Sequence, residues 1–137
     1  MQLSFFQVTL LVADYDDAIN FYVNKLGFLL LEDTKLSDTK RWVRVAPWGN
    51  NTAALLLAKA GNENQLNFIG NQTGGRVFLF MHTSNAQSYF DRLTTNQVQI
   101  VRNLSDESFG KVFVFADLYG NLWDVIEPTN KQVLLKS

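Results

Sequence analysis

Few side chains in this chain of 137 residues could do chemistry, because it has one histidine, His82, and no cysteine. The lack of cysteine excludes disulfides, thiolate zinc sites and thiol nucleophiles. With a single histidine, a metal site built from several imidazoles cannot form within one chain. The remaining candidates are carboxylate, amide and guanidinium groups set among apolar residues, and their roles depend on the elements that position them.

Charge and composition limit the classes of partner that this protein could bind. Twelve Lys plus Arg and thirteen Asp plus Glu give a net charge of -1, so no basic excess exists to hold a phosphate backbone. Hydrophobic residues make up 47% of the chain, enough for a packed core. No apolar run approaches the roughly 20 residues of a membrane span, and the start does not read as a signal peptide. We expect a cytoplasmic protein with no nucleic-acid or membrane partner.

Several polar clusters are interpreted as structural. Asp14, Asp16 and Asp17 predict a helix start, where negative charge is favourable. Asp117 predicts a turn in which its carboxylate bonds to nearby backbone amides. The glycine-rich segment 70–75 lacks the Lys-Ser/Thr pair of a nucleotide-binding loop and is interpreted as a connector.

An internal repeat organises the chain. The stretch 42–50, WVRVAPWGN, is similar to 113–121, FVFADLYGN, at an offset of 71 residues. The same offset places Gln7 on Phe78 and the helix start Asp14 on Asn85. Two blocks that share one offset predict two copies of a module of roughly 60 residues.

Each module is predicted to run β-α-β-β-β. Strands are expected at 6–12, 28–32, 41–46 and 53–58, then at 76–83, 98–102, 112–116 and 122–127, with turns at 47–51 and at Gly120-Asn121. The first helix begins at Asp14 and ends at Gly27; the second spans 84–95, with Ser84 and Gln87 in a capping-box pattern. Within a single domain, 1–137, we expect module one at about 5–58, a linker at 59–75, module two at 76–128 and a tail at 129–137.

Two segments carry a resemblance to a known family. The segment 7–22, QVTLLVADYDDAINFY, followed by KLGF at 25–28, and the segment 117–124, DLYGNLWD, resemble the opening and closing signatures of the vicinal oxygen chelate superfamily. That superfamily holds glyoxalases, bleomycin-resistance proteins, fosfomycin-resistance enzymes and extradiol dioxygenases. The resemblance implies an α+β fold: two tandem β-α-β-β-β modules forming a curved mixed sheet around a cavity, with the helices on the outer face.

The resemblance also implies four positions for a divalent metal. They fall at Gln7, at Leu55 (or at Ala53 if the turn is aligned without a gap), at Phe78 and at Asp124. Two of the four are apolar, and a hard cation held by one amide and one carboxylate would bind weakly. No metal cofactor is therefore favoured, and Gln7 and Asp124 are the candidate ligands if a divalent ion is held.

Strand alternation from these positions predicts the lining of the cavity. The expected ligand-binding residues are Gln7, Trp42, Arg44, Phe78, Phe80, His82, Phe113, Phe115 and Asp124. In a metal-free pocket we expect Asp124 to be hydrogen-bonded to Gln7, Arg44 or a water, so that removing it lowers stability. His82 and Asp124 are the candidates for catalysis.

Two functions follow from the resemblance and the lining. The first is a protein of the bleomycin-resistance type that binds a small aromatic or amphipathic molecule without metal. The alternative is a glyoxalase-like lyase or dioxygenase-like enzyme with a non-standard divalent metal site; metal-free acid–base chemistry by His82 and Asp124 is a weaker third. Because family members commonly dimerise, we expect a homodimer, with the apolar tail 133–135 covering a neighbour or its own sheet edge.

Overall fold

The computed structural model describes residues 1–47 and 53–136. The chain divides into two compact units, Met1–Ile69 (unit 1) and Gly70–Ser137 (unit 2). Each unit holds one of the two predicted β-α-β-β-β modules, and the helix of each module covers one face of its own sheet. The predicted α+β class and the two-module architecture are confirmed, with each module forming a separate four-stranded mixed sheet.

Unit 1 is built on a sheet of order β1-β4-β3-β2, in which β1 and β4 are parallel and the other pairs antiparallel. Its elements are β1 (Gln7–Val12), α1 (Tyr15–Ile19), a π-helical continuation (Asn20–Lys25), β2 (Leu29–Lys35), β3 (Arg41–Ala46), β4 (Ala54–Lys59) and α2 (Glu63–Leu66). The order agrees with the predicted one; α2 and the π-helical turn were not predicted.

The first helix begins and ends where the sequence indicates. The Asp14 carboxylate accepts a hydrogen bond from the backbone N–H of Asp17 at 2.8 Å, which satisfies a free helix donor. Gly27 ends the helical stretch with φ of 83°, a left-handed conformation that suits glycine. The apolar stripe that includes Ala18, Tyr22 and Leu26 is buried, which seals one face of the sheet.

Arg41 ties three elements of unit 1 together. Its Nη2 and Nε donate to Asp33 on β2 at 2.7 and 3.1 Å, and its Nη1 donates to Asp16 on α1 at 2.9 Å. The guanidinium carbon also lies 5.2 Å from the centre of the Tyr15 ring. The hydrogen bond from Arg41 lowers the pKa of the Asp33 carboxyl below its ordinary value. This clamp was not predicted, because its partners are distant in sequence.

Unit 2 repeats the topology with sheet order β5-β8-β7-β6. Its elements are β5 (Val77–His82), α3 (Ala86–Thr95), β6 (Gln99–Glu107), β7 (Gly110–Ala116), β8 (Leu122–Pro128) and a 3-10 helix (Lys131–Lys136). Again the first and last strands are parallel neighbours, β5 beside β8.

The cap of α3 differs from the prediction. Asn85, not Ser84, is the N-cap: its backbone is extended and its side-chain oxygen accepts from the N–H of Ser88 at 2.9 Å. The capping box predicted from Ser84 and Gln87 is therefore wrong by one residue. Asn85 is the residue that matches Asp14 at the repeat offset. In both modules the short side chain of the cap residue accepts from the N–H three residues further on.

The core of unit 2 is aromatic on the face covered by α3. Phe113 packs edge-on against Phe90 of α3, with ring centres 5.3 Å apart. Phe115 stacks on Trp123 of the neighbouring strand at 5.9 Å with an interplanar angle of 5°. Pairs of this kind contribute about 0.5–1.5 kcal/mol each beyond the burial of their area.

The C-terminal segment is fastened to its own unit. Glu127 Oε1 accepts from the N–H of Ala86 at 2.8 Å, and Oε2 accepts from Lys131 Nζ at 2.6 Å. The hydrogen bond from Lys131 lowers the pKa of the Glu127 carboxyl most, and the hydrogen bond from Ala86 lowers it further. The 3-10 helix that follows contacts β8, so the tail lies against its own unit; the side chain of Leu135 is outside the described residues.

The segment predicted as a linker, 59–75, contains local structure at both of its ends. Asn62 caps α2 by accepting from the N–H of Gln65 at 2.9 Å. Gly70 has φ of 75°, and a Cβ there would collide with the carbonyl of Tyr119. Beside it, the N–H of Gln72 donates to Asn121 Oδ1 at 3.1 Å. The contacts of Gly70 and Gln72 hold residues 70–72 against the turn that joins β7 to β8 within unit 2.

That turn is held by Asp117, as predicted. Its carboxylate accepts from the N–H groups of Tyr119 and Asn121, both at 2.9 Å, and from Asn121 Nδ2 at 3.0 Å. Asp117 and Asn121 are both buried. The corresponding turn predicted at 47–51 falls mostly on residues 48–52, outside the described residues.

No helix in the described ranges, 1–47 and 53–136, is long and apolar enough to cross a membrane.

We expect Asp117→Ala to lower the free energy of unfolding by about 2–4 kcal/mol, because three donors lose a charged acceptor in a buried turn. Urea denaturation followed by circular dichroism measures this change. The matched control is Asp38→Ala, whose side chain is fully exposed and which should change stability by less than about 0.5 kcal/mol. Equal stabilities of the two variants would contradict this role for the turn.

Candidate functional site

The polar face of unit 1 is centred on Arg44. On the sheet face away from α1, which we call the helix-distal face, one row of cross-strand neighbours comprises Thr9, Leu56, Arg44 and Glu32. Arg44 Nε donates to Gln7 Oε1 at 2.9 Å, so Gln7 and Arg44 share this face, as the strand alternation predicts.

Arg44 has two further contacts. Its guanidinium lies 4.6 Å from the centre of the Phe6 ring, a cation–π arrangement. Its Nη1 lies 3.9 Å from a carboxylate oxygen of Glu32, at the limit of an ion pair. With 18% of its side chain exposed, Arg44 is held from three sides. Neither Phe6 nor Glu32 was predicted to take part.

The equivalent row of unit 2 runs across the helix-distal face of its sheet. Phe80 on β5, Asp124 on β8, Val114 on β7 and Arg102 on β6 are successive cross-strand neighbours. In this row Asp124 lies directly between an aromatic residue and an aliphatic one. Phe80 is 64% exposed, whereas Val114 is buried.

A cavity of about 310 Å³ opens on this face of unit 2. Its walls combine apolar side chains with a few charged ones, and its lining residues are Arg102, Asn103, Glu107, Phe109, Val112, Phe113, Val114 and Asp124. This combination of apolar walls and few polar groups is typical of small-molecule sites.

Asp124 is the electrostatically unusual group of the cavity. Its Oδ1 is buried and has no hydrogen-bond partner among the described residues. Burial raises the pKa of the Asp124 carboxyl, and the positive charge of Arg102 acts in the opposite direction. The protein hydrogen bond predicted for Asp124 is therefore missing at this oxygen, while Gln7 and Arg44 bond to each other.

Two of the predicted lining residues lie on the wrong face. Phe113 and Phe115 are cross-strand neighbours of Val125 and Trp123, whereas Asp124 is the neighbour of Val114. Since directly opposed residues in an antiparallel pair point to the same side, Phe113 and Phe115 belong to the helix-covered core. Phe113 still borders the cavity, but its ring packs on Phe90. The prediction that both face the cavity side of the sheet together with Asp124 is wrong, although Phe113 does line the cavity.

The error comes from a difference of one residue between the offset of the turn motifs and the offset of the strands. The turn motifs match at an offset of 71, which pairs Trp42 with Phe113. In the structure β3 ends at Ala46 and β7 ends at Ala116, an offset of 70, so within the strands Arg44 is equivalent to Val114. A shift of one residue exchanges the two faces of a strand.

The same argument corrects the second metal position. Leu55 is buried and faces Val8 and Val45, on the side covered by the helix. Leu56 is the residue that shares the row of Arg44, and Ala53 precedes β4. The position is apolar in either case.

The other predicted residues are distributed as follows. Trp42 is half-buried two residues before Arg44, on the same face. Phe78 lies at a register shift in β5, and its ring packs edge-on against Trp123 at 5.8 Å, away from Asp124. His82 is exposed beside Ile126, and it is not among the residues that line the cavity. The part that each of these plays in ligand binding stays a prediction.

The residues present do not fit a divalent cation. In unit 1, Gln7 Oε1 already accepts from a guanidinium, and the neighbouring position in β4 is Leu56. In unit 2, the cross-strand neighbours of Asp124 are Phe80 and Val114, and neither can supply a second ligand. Across residues 1–47 and 53–136, the His, Asp and Glu side chains form no group of three that could hold a metal ion.

Sequence reasoning missed most of the cavity wall. Arg102 and Glu107 were not predicted, because β6 contains two register shifts against β7 that break simple alternation. Phe109 lies in the turn between β6 and β7, where strand alternation does not apply. Val112 and Val114 lie in a run of five apolar residues, so periodicity shows no preferred face. The one usable signal is Arg102 itself, a charged residue next to Ile100 and Val101.

Known proteins resemble this chain over nearly its whole length. It is 48% identical over 133 residues to an uncharacterised protein of Shewanella frigidimarina (strain NCIMB 400), which covers 96% of this chain and 98% of that one. The solved structure of UcmS2 superposes with a TM-score of 0.80 at 27% identity, over 93% of this chain and 99% of that one.

A second solved structure has a described role. TnmS3, an antibiotic binding protein from Streptomyces sp. CB03234, superposes with a TM-score of 0.73 at 25% identity, over 94% of this chain and 99% of that one. The sequence model of the glyoxalase/bleomycin resistance protein/dioxygenase superfamily matches residues 4–125. The chain therefore belongs to the glyoxalase/bleomycin resistance protein/dioxygenase superfamily.

Proposed function

We propose that this protein binds a small amphipathic or aromatic molecule in the cavity of unit 2, without a resident metal. The observation that carries the proposal is the cavity of about 310 Å³, with apolar walls and an unpartnered carboxylate oxygen at Asp124. A buried acceptor without a partner is costly, and a ligand that supplies a hydrogen-bond donor removes that cost. The proposal also draws support from the likeness to TnmS3, an antibiotic binding protein.

The wall residues supply the binding energy in this proposal. Val112 and Val114 form a buried aliphatic floor, and Phe109 is 58% exposed at the cavity. An exposed aromatic ring beside a cavity provides a flat surface that a ligand can cover, and covering it removes apolar area from water. Arg102 and Glu107 provide charges around this surface.

We further propose that the protein forms a homodimer through β2. This strand ends the sheet of unit 1, and its three consecutive leucines, Leu29, Leu30 and Leu31, are 47%, 43% and 38% exposed. An unpaired edge with apolar residues on both faces is prone to pair with another chain. A second copy of this chain is the proposed cover.

Ligand binding is tested by filling the cavity. In a thermal-shift screen of aromatic and amphipathic compounds, we expect at least one class to stabilise the wild type, and Val114→Phe to weaken that binding by about tenfold or more. Val101→Phe, at an exposed position of β6, is the matched control and should bind as the wild type does. Failure of every class to stabilise the protein, or equal binding by Val114→Phe, would contradict the proposal. Stoichiometric metal after growth in metal-supplemented medium would favour the enzyme alternative instead.

The pH dependence of stability tests the state of Asp124. Because burial raises its pKa in the folded state, the carboxylate is destabilising above that pKa, and the penalty disappears as the pH falls below it. Asp124→Asn should therefore raise the free energy of unfolding at pH 7.5 by about 1 kcal/mol and have a smaller effect at pH 4. This reverses the loss of stability expected from the sequence.

Asp106→Asn, an exposed position on β6, serves as the control for the general effect of removing one negative charge. Chemical denaturation at the two pH values measures all three proteins. A lower stability of Asp124→Asn than of the wild type at pH 7.5 would show that Asp124 is favourably paired, contrary to the structure.

The dimer is tested by sedimentation equilibrium at micromolar concentration. We expect a mass near twice the 15.6 kDa of the chain. Leu30→Lys, which places a charge on the edge strand, should shift the protein to monomer. Leu66→Lys, at a similarly exposed leucine on α2, should leave the mass unchanged. A monomeric wild type would reject the dimer.

A further inference from the structure

We propose that the cavity of unit 2 selects an organic cation, a protonated amine carried on an aromatic or apolar body, which is held by the Asp124 carboxylate and the exposed rings of Phe80 and Phe109. This inference rests on the proposed function, because it names the ligand class for the same cavity.

The unpartnered oxygen of Asp124 sets the polar requirement. When the carboxyl is ionised, Oδ1 can accept a hydrogen bond but cannot donate one. No described residue donates to it. An ammonium group offers up to three donors and a full positive charge, so it satisfies the oxygen and neutralises the buried charge together. A neutral ligand donor would satisfy the oxygen but leave the charge in place.

The aromatic neighbours set the second requirement. Phe80 is the cross-strand neighbour of Asp124 and is 64% exposed, and Phe109 lines the cavity with 58% exposed. Faces of aromatic rings attract cations, and the attraction grows as water is excluded. One exposed ring stands next to the carboxylate in the row and another lies in the cavity wall, although Phe80 itself is not among the lining residues. This combination is suited to an ammonium carried on an apolar body.

The surrounding charges agree with a cationic ligand. The charged residues of the lining are Asp124 and Glu107, which are acidic, and Arg102, which is basic, so the lining is net negative. Arg102 lies beyond Val114 in the row, on an exposed strand, and its charge favours the ionised form of Asp124. His82, on β5, is a further titratable group on this face, and it is exposed beside Ile126.

The pH dependence of binding follows from this arrangement. Burial raises the pKa of Asp124, so the empty site takes up a proton more readily than an exposed aspartate does. Binding of an ammonium requires the ionised carboxyl, and its affinity rises as the pH increases through that pKa. Glu107 and Arg102 face the same cavity as Asp124.

Three matched probes test the inference by isothermal titration calorimetry at pH 7: 2-naphthylmethylamine, 2-naphthylmethanol and 2-naphthoic acid. They share one ring system and carry a cationic, a neutral and an anionic head. We expect the amine to bind about tenfold tighter than the alcohol, and the acid to bind most weakly. Asp124→Asn, which keeps an acceptor oxygen but removes the negative charge, should weaken the amine by about tenfold more than it weakens the alcohol.

Two control variants separate specific from general effects. Phe80→Leu should weaken the amine by about threefold more than it weakens the alcohol, whereas Phe68→Leu, at an exposed phenylalanine of unit 1, should change neither. Asp106→Asn, which removes an exposed carboxylate of the same unit, should keep the preference for the amine.

The outcomes distinguish the inference from the proposed function. Equal affinities for amine and alcohol, or tightest binding of the acid, would overturn the cation inference while leaving a small-molecule cavity in place. A preference for the amine that survives in Asp124→Asn would also overturn it. If none of the three probes binds, the proposed function itself fails for ligands of this size, and the inference fails with it.

Discussion

Burial of one face of each sheet beneath its own helix is the constraint on which the other features depend. In unit 2, Phe113, Phe115, Trp123 and Val125 are almost wholly buried on the α3 side. Strand alternation then forces the intervening residues, Val114 and Asp124 among them, onto the opposite face. The carboxylate therefore faces the cavity because its neighbours in sequence are required for the core.

Register between strands is the second constraint, and the turns determine it. The Asp117 carboxylate accepts hydrogen bonds from the N–H groups of Tyr119 and Asn121, which fixes the length of the connection between β7 and β8. With that length fixed, Val114 pairs with Asp124 and Phe115 with Trp123. A shift by one residue would place the carboxylate in the aromatic core, at a cost in desolvation that no described side chain offsets.

The two modules show how one topology supports different chemistry at equivalent positions. In unit 1 the row across the helix-distal face contains Arg44, whose guanidinium is occupied by Gln7, Phe6 and Glu32. In unit 2 the row contains Asp124, which lacks a protein partner at Oδ1. A satisfied polar group contributes to stability, whereas an unsatisfied one costs stability and is more consistent with ligand binding. This difference places the candidate site in unit 2.

The sequence alone determined the module order, the helix start at Asp14 and the role of Asp117, because these depend on local patterns of caps, turns and periodicity. It also identified Asp124 and Arg44 as polar groups on helix-distal strand faces. Only the tertiary structure decided which residues stand beside them. The register of β7 against β8 places Phe113 and Phe115 in the core, while the register shifts in β6 and the turn that follows it bring Arg102 and Phe109 to the cavity. Register is set by pairing between distant strands, and an error of one residue reverses the face assigned to every side chain of a strand.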